Sequence, residues 1–176
     1  MFTVKIKIKE KNPDMLAAIK KRMAEIGRHK VVAGFPKGRL NNPHYEGEKG
    51  KPGPSIIDVA IWNNFGIGVP KRDFMTPATK LWQKYIETQV ESYQDDLVSG
   101  AMDIRMFLKT MGEAGAHFIS DSIVKLQEPP NAQVTIEGGW IMKHGKPIKI
   151  KGKKSSNPLY DSGDMSKAPI YEIRSR

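Results

Sequence analysis

The chain has 176 residues, of which 39% are hydrophobic and 27% charged, a composition typical of one folded domain and not of a disordered segment. It contains no cysteine, which excludes disulfides, thiolate metal sites and cysteine nucleophiles. No apolar run approaches the ~20 residues of a membrane span, and the alternating N-terminus does not resemble a secretion signal. We therefore expect no membrane partner and assembly in a reducing cytoplasm.

The formal net charge of +10 is unevenly distributed. Residues 1–51 carry 13 Lys and Arg against 5 Asp and Glu, a balance of +8. Residues 52–128 carry 7 against 10, or −3, and residues 129–176 carry 9 against 4, or +5. Two basic ends around a mildly acidic middle indicate either contact with nucleic acid or complementary faces on neighbouring copies in an assembly.

The first fifty residues predict a strand, a helix, a second strand and a loop. Apolar and lysine residues alternate over 2–9, the pattern of a half-buried strand whose lysine face either binds a polyanion or is a solvated edge. Apolar residues at helical spacing predict a helix from Pro13 to Gly27, and Lys30–Phe35 reads as the second strand. Residues 36–54 are rich in glycine and proline, which predicts a long exposed loop.

The middle of the chain predicts three helices. Ser55 is a candidate N-cap for a short helix over Ile56–Phe65, and Asp58 at the third helical position completes something near a capping box. Thr76, followed by proline, is a candidate N-cap for a long amphipathic helix that closes at Ser99. A further amphipathic helix is predicted over Asp103–Gln127, with Gly112 and Gly115 in its interior allowing close approach or marking a bend.

The last third predicts a basic arm between short strands. Gln133–Glu137 is predicted to be a strand, Gly138 and Gly139 a turn, and Ile170–Arg174 a closing strand. The arm, residues 141–156, holds six lysines and no acidic residue, and its alternation predicts an extended segment or exposed hairpin. Three interpretations stay open for it: a solvated excursion, docking onto an acidic surface of a neighbouring protein, and phosphate contact. Its lysines are Lys143, Lys146, Lys149, Lys151, Lys153 and Lys154.

Together these elements predict one α+β domain over residues 1–176. Its small mixed sheet is packed by two long helices and one or two shorter ones, with the extended loop 36–54 and the basic arm 141–156. No catalytic, metal or cofactor motif has convincing spacing. Gly66-Ile-Gly68 lacks the strand before it and the third glycine of a nucleotide loop. The histidines are scattered, so we expect no enzyme, metal or cofactor; they are His29, His44, His117 and His144.

Three segments, taken in order, resemble one known family. The segment from Ser55 to Ala78 (Ser-Ile-Ile-Asp-Val-Ala-Ile-Trp-Asn-Asn-Phe-Gly-Ile-Gly-Val-Pro-Lys-Arg-Asp-Phe-Met-Thr-Pro-Ala) is similar to the motif of tailed-phage neck, tail-completion and virion-morphogenesis proteins. Val31-Val-Ala-Gly-Phe-Pro resembles the strand that precedes that motif, and Asn157-Pro-Leu-Tyr-Asp-Ser-Gly-Asp-Met resembles the closing segment. Asn64, Asp73 and Thr76 differ from the residues usual in the family.

The resemblance implies a small structural subunit of the virion that forms a homo-oligomeric ring around the DNA channel, as a head–tail connector, collar, tail-completion or tail-terminator protein. Its partners would be copies of itself and neighbouring neck, portal-side, tail-tube or sheath proteins, with non-specific contact to genomic DNA. Candidate interface or family-motif residues are Phe65, Gly66, Pro70, Arg72, Phe74, Pro77, Pro158, Leu159, Asp161 and Gly163. A basic nucleic-acid-binding protein is the alternative.

Overall fold

The structure, a computed structural model, describes residues 13–36, 43, 52–143, 145–153, 155–160 and 162–175. Within this part of the chain it is an α+β protein, as the sequence predicts, with six helices and two antiparallel two-stranded sheets. The predicted strand at 2–9, most of the loop 36–54, and the residues His44, His144, Lys154 and Asp161 lie outside the described residues. The chain folds into two compact units, and the boundaries between them in the sequence fall after Gly34, Pro77, Phe118 and Pro169.

The first unit takes up residues to Gly34, then Ala78–Phe118, and then Ile170 onward. It contains helix α1 (Pro13–Gly27), most of α3 (Met75–Ser99) and most of α4 (Ile104–Lys125). Asp103 starts α4, because its Oδ1 accepts a hydrogen bond from the backbone N–H of Met106 at 2.9 Å, the usual geometry of a helix N-cap. The two long helices predicted from the apolar periodicity are therefore confirmed.

The apolar sides of α3 and α4 form the core of this unit. Leu97, Phe107 and Met111 are buried at its centre, surrounded by partly buried aromatic and aliphatic side chains of α3. The Trp82 indole N–H donates to the Met111 carbonyl at 2.8 Å, so a polar bond also joins the two helices. Arg22 of α1 donates to the Leu97 carbonyl at 2.9 Å, which satisfies one of the free carbonyls at the end of α3.

Strand β1 (His29–Gly34) pairs with β4 (Ile170–Ser175) in an antiparallel ladder that runs from His29 opposite Ser175 to Gly34 opposite Ile170. Glycines on α4 make room for this sheet and for α3. A Cβ on Gly112 would collide with the Tyr171 ring, and a Cβ on Gly115 would lie 2.6 Å from the Trp82 ring and 2.8 Å from the Ala33 Cβ. Close approach, and not a bend, is therefore the role of both glycines.

The second unit, Phe35–Pro77 and Ile119–Pro169, begins with the short helix α2 (Ile56–Phe65). The predicted cap is confirmed: Ser55 Oγ accepts from the Asp58 N–H at 3.1 Å, and Asp58 Oδ2 accepts from the Ser55 N–H at 2.9 Å. Phe74 and Ile123 are 1% and 0% exposed and mark the core of this unit. The Phe35 ring meets the Phe74 ring edge-on, with centroids 6.1 Å apart.

The strand predicted at Gln133–Glu137 is wrong, because this segment is the short helix α5. Its N–H groups at Thr135 and Ile136 both donate to the Ala132 carbonyl, so local bonds replace strand pairing. The turn predicted at Gly138 and Gly139 is also wrong, since both begin strand β2 (Gly138–Lys143). The predicted hairpin itself is present: β2 pairs antiparallel with β3 (Lys146–Lys151), and helix α6 (Asp164–Lys167) follows.

Candidate functional site

The turn between α2 and α3 is held by backbone and side-chain bonds. Gly66 ends α2 in the left-handed conformation (φ 75°), and the N–H groups of Gly66 and Ile67 both donate to the Trp62 carbonyl. A Cβ at Gly66 would lie 2.9 Å from the Lys71 Cβ, so both conformation and space require glycine here. Two hydrogen bonds from Arg72 to Asn63 of α2 then fix the chain that follows.

Arg72 is the central polar residue of this turn, and it is only 7% exposed. Its backbone N–H donates to the Asn63 carbonyl at 2.7 Å, and its Nη1 donates to Asn63 Oδ1 at 3.1 Å. Nε and Nη2 reach the carbonyls of Pro129 and Pro130 at 3.2 and 3.4 Å, and Nη2 also reaches Asn131 Oδ1 at 3.3 Å. Burial lowers the pKa of the Arg72 guanidinium, because desolvation disfavours the charged form.

Asn64, near the end of α2, and Asp73, in the segment between α2 and α3, start α3. The Asn64 side chain accepts from the Met75 N–H at 3.1 Å. Asp73 Oδ1 accepts from the Thr76 N–H at 3.0 Å, and Asp73 Oδ2 accepts from the Thr76 hydroxyl at 2.9 Å. The predicted cap at Thr76 is therefore wrong: Asp73 caps α3, which begins at Met75, two positions before the expected first helical residue Pro77.

Hydrogen bonds join this turn to the closing segment of the chain. Asn131, which accepts from Arg72, donates through Nδ2 to the Asn157 carbonyl at 3.1 Å. Asn157 in turn donates to the Val124 carbonyl at 2.5 Å and accepts from the Leu159 N–H at 3.0 Å. The segments that start at Ser55 and at Asn157, about a hundred residues apart, thus form one hydrogen-bonded frame. We call it the Arg72 frame.

A small cavity lies where the two segments meet. Its volume is about 180 Å³, and its walls include Val59, Asn63, Leu159 and Gly163. This is below the ~300 Å³ at which small-molecule pockets begin. The cavity therefore lies between two packed segments and is too small for most small-molecule ligands.

Exposed apolar residues cluster at the end of α2 and in the loop after it. Phe65 is 65% exposed and Ile67 55%, on a turn whose backbone the Arg72 frame holds in place. A groove of about 320 Å³ with walls of Phe35, Phe65 and Phe74 runs beside them. We call the exposed set the apolar ridge; its members are Ile61, Trp62, Phe65, Ile67 and Val69. Five large apolar side chains exposed within nine residues of a folded protein indicate an interaction site.

The hairpin β2–β3 carries the predicted lysines together with apolar residues. Residues directly opposite in an antiparallel pair share a face, which places Trp140 with Lys149 and Met142 with Pro147 on one side. Trp140 is 67% exposed and Met142 69% exposed. Lys149 and Lys151 are exposed on that side, and Lys143 and Lys146 are exposed on the other side, near the tip.

The candidate residues predicted from the sequence divide into three groups. Arg72, Phe74, Pro158, Leu159 and Gly163 are buried and build the second unit from within. Phe65, Pro70 and Pro77 are exposed, and Gly66 is the helix cap between them. Lys153 lies after β3, where its ammonium donates to the carbonyls of Asn157, Pro158 and Tyr160 at 3.0, 3.2 and 3.3 Å, so it belongs to the closing segment and not to the hairpin face.

Sequence reasoning missed several residues that shape these surfaces. Asn63, Asn131 and Asn157 link the frame, but an asparagine in a loop carries no pattern that identifies its distant partner. Trp140 and Met142 had a usable signal, since they alternate in a short strand beside lysines on the paired strand. Helix Ile56–Phe65 is nearly continuously apolar, a pattern that does not distinguish buried from exposed positions, so the exposure of Ile61 and Trp62 was missed.

Within the described ranges, no group of three or more His, Asp or Glu side chains could hold a metal ion. No helix in that part of the chain is sufficiently long and apolar to cross a membrane. Comparisons with protein-family models, with curated proteins and with solved structures find no significant match.

Proposed function

We propose that this chain is a non-enzymatic structural subunit of a tailed-phage virion, which assembles into a ring in the neck around the DNA channel. The position would be that of a head–tail connector, collar, tail-completion or tail-terminator protein. The proposal starts from the sequence resemblance of three segments, and it gains support from the structure of the second unit.

The apolar ridge is the observation that carries the proposal. Phe65 and Ile67 lie on the turn that contains the family-like motif, and their backbone is fixed by Gly66 and Arg72. A large aromatic side chain held at 65% exposure on a rigid turn is pre-organised for contact, because little conformational entropy is lost when a partner covers it. Association with other subunits is the function that such a surface supports best.

The Arg72 frame supports the same interpretation. The two motif segments could have lain in unrelated parts of the fold, but a chain of hydrogen bonds through Asn131 and Asn157 joins them. Buried polar networks of this kind specify one arrangement of the backbone. The frame would keep the ridge in one geometry when identical copies meet around a ring, where every contact must repeat.

A nucleic-acid-binding protein remains the second candidate, because four lysines are exposed on a hairpin that also exposes Trp140. A groove or arm that binds nucleic acid combines cations with an aromatic stacking surface. DNA affinity measured at two salt concentrations tests it. A binder that neutralises several phosphates loses orders of magnitude in affinity between low and moderate salt, whereas failure to bind at low salt excludes this candidate.

The location of the chain in virions tests the neck proposal directly. A virion reconstruction should place it between the portal-side and tail-tube density, and particles made without it should accumulate as separate heads and tails. Phe65→Ser should reduce its incorporation, while Met106→Ser on α4, 64% exposed in the wild type, is the matched control and should not. Normal joined particles that lack the chain would refute the proposal.

A further inference from the structure

The hairpin β2–β3 presents a mixed apolar and cationic face to solvent. Its base is anchored, since the Lys153 N–H donates to the Thr135 carbonyl of α5 at 3.0 Å. Beyond that anchor, Trp140 and Met142 stand exposed beside Lys149 and Lys151. A two-stranded hairpin alone is marginally stable in water, so a partner on this face would stabilise it.

The same chain carries an exposed acidic row on α3. Glu87, Glu91 and Asp95 recur at intervals of four residues, which places them on one side of the helix, opposite the side that packs on Phe107 and Met111. From residue 85 to residue 104 the sequence has five acidic residues and no lysine or arginine. Within the described part of the chain, no salt bridge neutralises any of the three.

Two cations border the row. Lys84 lies one turn before Glu87 on the same exposed side. Arg22 lies at the far end of α3, where its guanidinium donates to the Leu97 and Met102 carbonyls at 2.9 and 3.2 Å. Arg22 is engaged by these two carbonyls and forms no salt bridge with Asp95 within the described residues, so Lys84 beside Glu87 is the cation that limits the row, and Glu91 and Asp95 are its uncompensated part.

The spacing of charges on the two surfaces agrees. Lys149 and Lys151 are two residues apart on a strand, a rise of about 7 Å. Glu91 and Asp95 are four residues apart on a helix, a rise of about 6 Å. Two flexible lysine side chains can therefore meet two carboxylates when the strand lies along the helix. Met142 and Pro147, on the same face, would exclude water beside these ion pairs.

We propose that the hairpin of one copy docks on the acidic row of α3 in a second copy. This inference rests on the proposed function and adds to it the surfaces that join neighbouring subunits. The two surfaces differ, so the contact is heterologous, the kind that repeats from copy to copy and closes into a ring. The apolar residues favour a protein occupant over nucleic acid, because Met142 and Pro147 have no role in binding phosphate, and methionine is enriched in protein interfaces.

Charge reversal on each side tests the contact. A hairpin-to-helix contact is small, so self-association is measured by analytical ultracentrifugation at low salt and high protein concentration. The variants Lys149→Glu/Lys151→Glu and Glu91→Lys/Asp95→Lys should each weaken self-association by about tenfold or more. An equimolar mixture of the two variants should associate, because the unchanged hairpin of the second variant is complementary to the unchanged carboxylates of the first, and the reversed hairpin of the first is complementary to the reversed row of the second.

The combined charge swap sharpens the test, and a matched control isolates the site. A chain with all four substitutions should recover self-association to within about threefold of wild type, since the pairs are restored with opposite sign. Lys20→Glu/Lys21→Glu changes the net charge by the same amount as the hairpin variant, but at exposed positions on α1, and should leave association unchanged. Carbodiimide coupling of isotopically light and heavy wild-type copies should join Lys149 or Lys151 to Glu91 or Asp95 between chains.

Three results would overturn the docking proposal. The chain could remain monomeric at low salt and high concentration, or associate with an affinity that both reversals leave unchanged. The hairpin variant could also lose DNA affinity while self-association stays intact, which would make the hairpin a nucleic-acid contact. The location of the chain in virions is measured independently, so each of these results would leave the neck proposal standing or falling on its own experiment.

Discussion

Replacing Arg72 by methionine removes the centre of the hydrogen-bonded frame while keeping a long side chain of similar length. The side chain donates to four acceptors, namely the carbonyls of Pro129 and Pro130 and the amide oxygens of Asn63 and Asn131. The four bonds are between 3.1 and 3.4 Å long, so none is especially strong.

The magnitude follows from the number of acceptors that water cannot reach in the variant. A hydrogen bond to a charged group contributes about 1.5–3 kcal/mol to stability, and a buried acceptor left unsatisfied costs about 1–3 kcal/mol. Pro130 is exposed, so its carbonyl can be hydrated, and two amide side chains can turn towards solvent. The methionine also avoids the desolvation of a charge. We therefore expect a loss of about 3 kcal/mol, which is less than the sum of four bonds.

Urea unfolding followed by circular dichroism measures this loss, with the slope of the transition checked for two-state behaviour. Lys71→Met is the control, because the Lys71 side chain, next to Arg72 in the chain, is exposed. The variant also retains the Lys71 Cβ, which lies close to Gly66. Arg72→Lys should recover only part of the stability, since an ammonium cannot reach all four acceptors in their fixed directions. If Arg72→Met cost less than about 1 kcal/mol, a frame organised by this guanidinium would be refuted.

Two further predictions concern packing and pH. Gly115→Ala should destabilise the protein by about 1–3 kcal/mol in thermal unfolding, because the added Cβ meets the Trp82 ring and the Ala33 Cβ. Gly27→Ala is the control, and it should be neutral or stabilising because the space around Gly27 is open. Equal effects of the two substitutions would contradict the packing argument. Hydrogen bonds from the Ser55 hydroxyl and backbone N–H lower the pKa of Asp58. The Asp58 carboxylate therefore contributes to stability at a pH above its pKa in the unfolded chain, and this contribution is lost as the pH falls below about 4. Asp58→Asn should flatten that part of the stability–pH curve measured by urea unfolding, and an unchanged slope would show that the cap does not depend on the charge.

Local patterns predicted the elements whose stability is local. The helix at Ile56–Phe65 and its capping pair, Ser55 and Asp58, followed from sequence because a capping box lies within four residues. The long helices followed from an apolar stripe repeated over more than twenty residues. The hairpin followed from the alternation of residues 146–151, whereas its glycine, Gly145 with φ 75°, was not identified from the sequence.

Predictions failed where a non-local contact decided the outcome. Val134, Thr135 and Ile136 favour a strand by propensity, yet they form a helical turn whose Thr135 carbonyl accepts from Lys153, eighteen positions later. The same holds for the candidate site: the motif identified Arg72, but its acceptors at 129–131 could not be deduced from spacing. The exposure of Ile61 and Trp62 was equally hidden, since burial depends on what covers a helix and not on its composition.

The ladder between β1 and β4 also constrains how the first unit forms during synthesis. Its paired residues are roughly 140 positions apart in the chain, a separation that makes pairing slow compared with helix formation. At typical ribosomal rates, β1 therefore waits on the order of ten seconds for its partner, with Val32 and an open edge exposed. During that interval the space beside Gly112 lacks the Tyr171 ring that fills it in the finished protein. The emerging chain is thus most open to misassociation before residues 170–175 are synthesised, because strand β4 completes the sheet of the first unit.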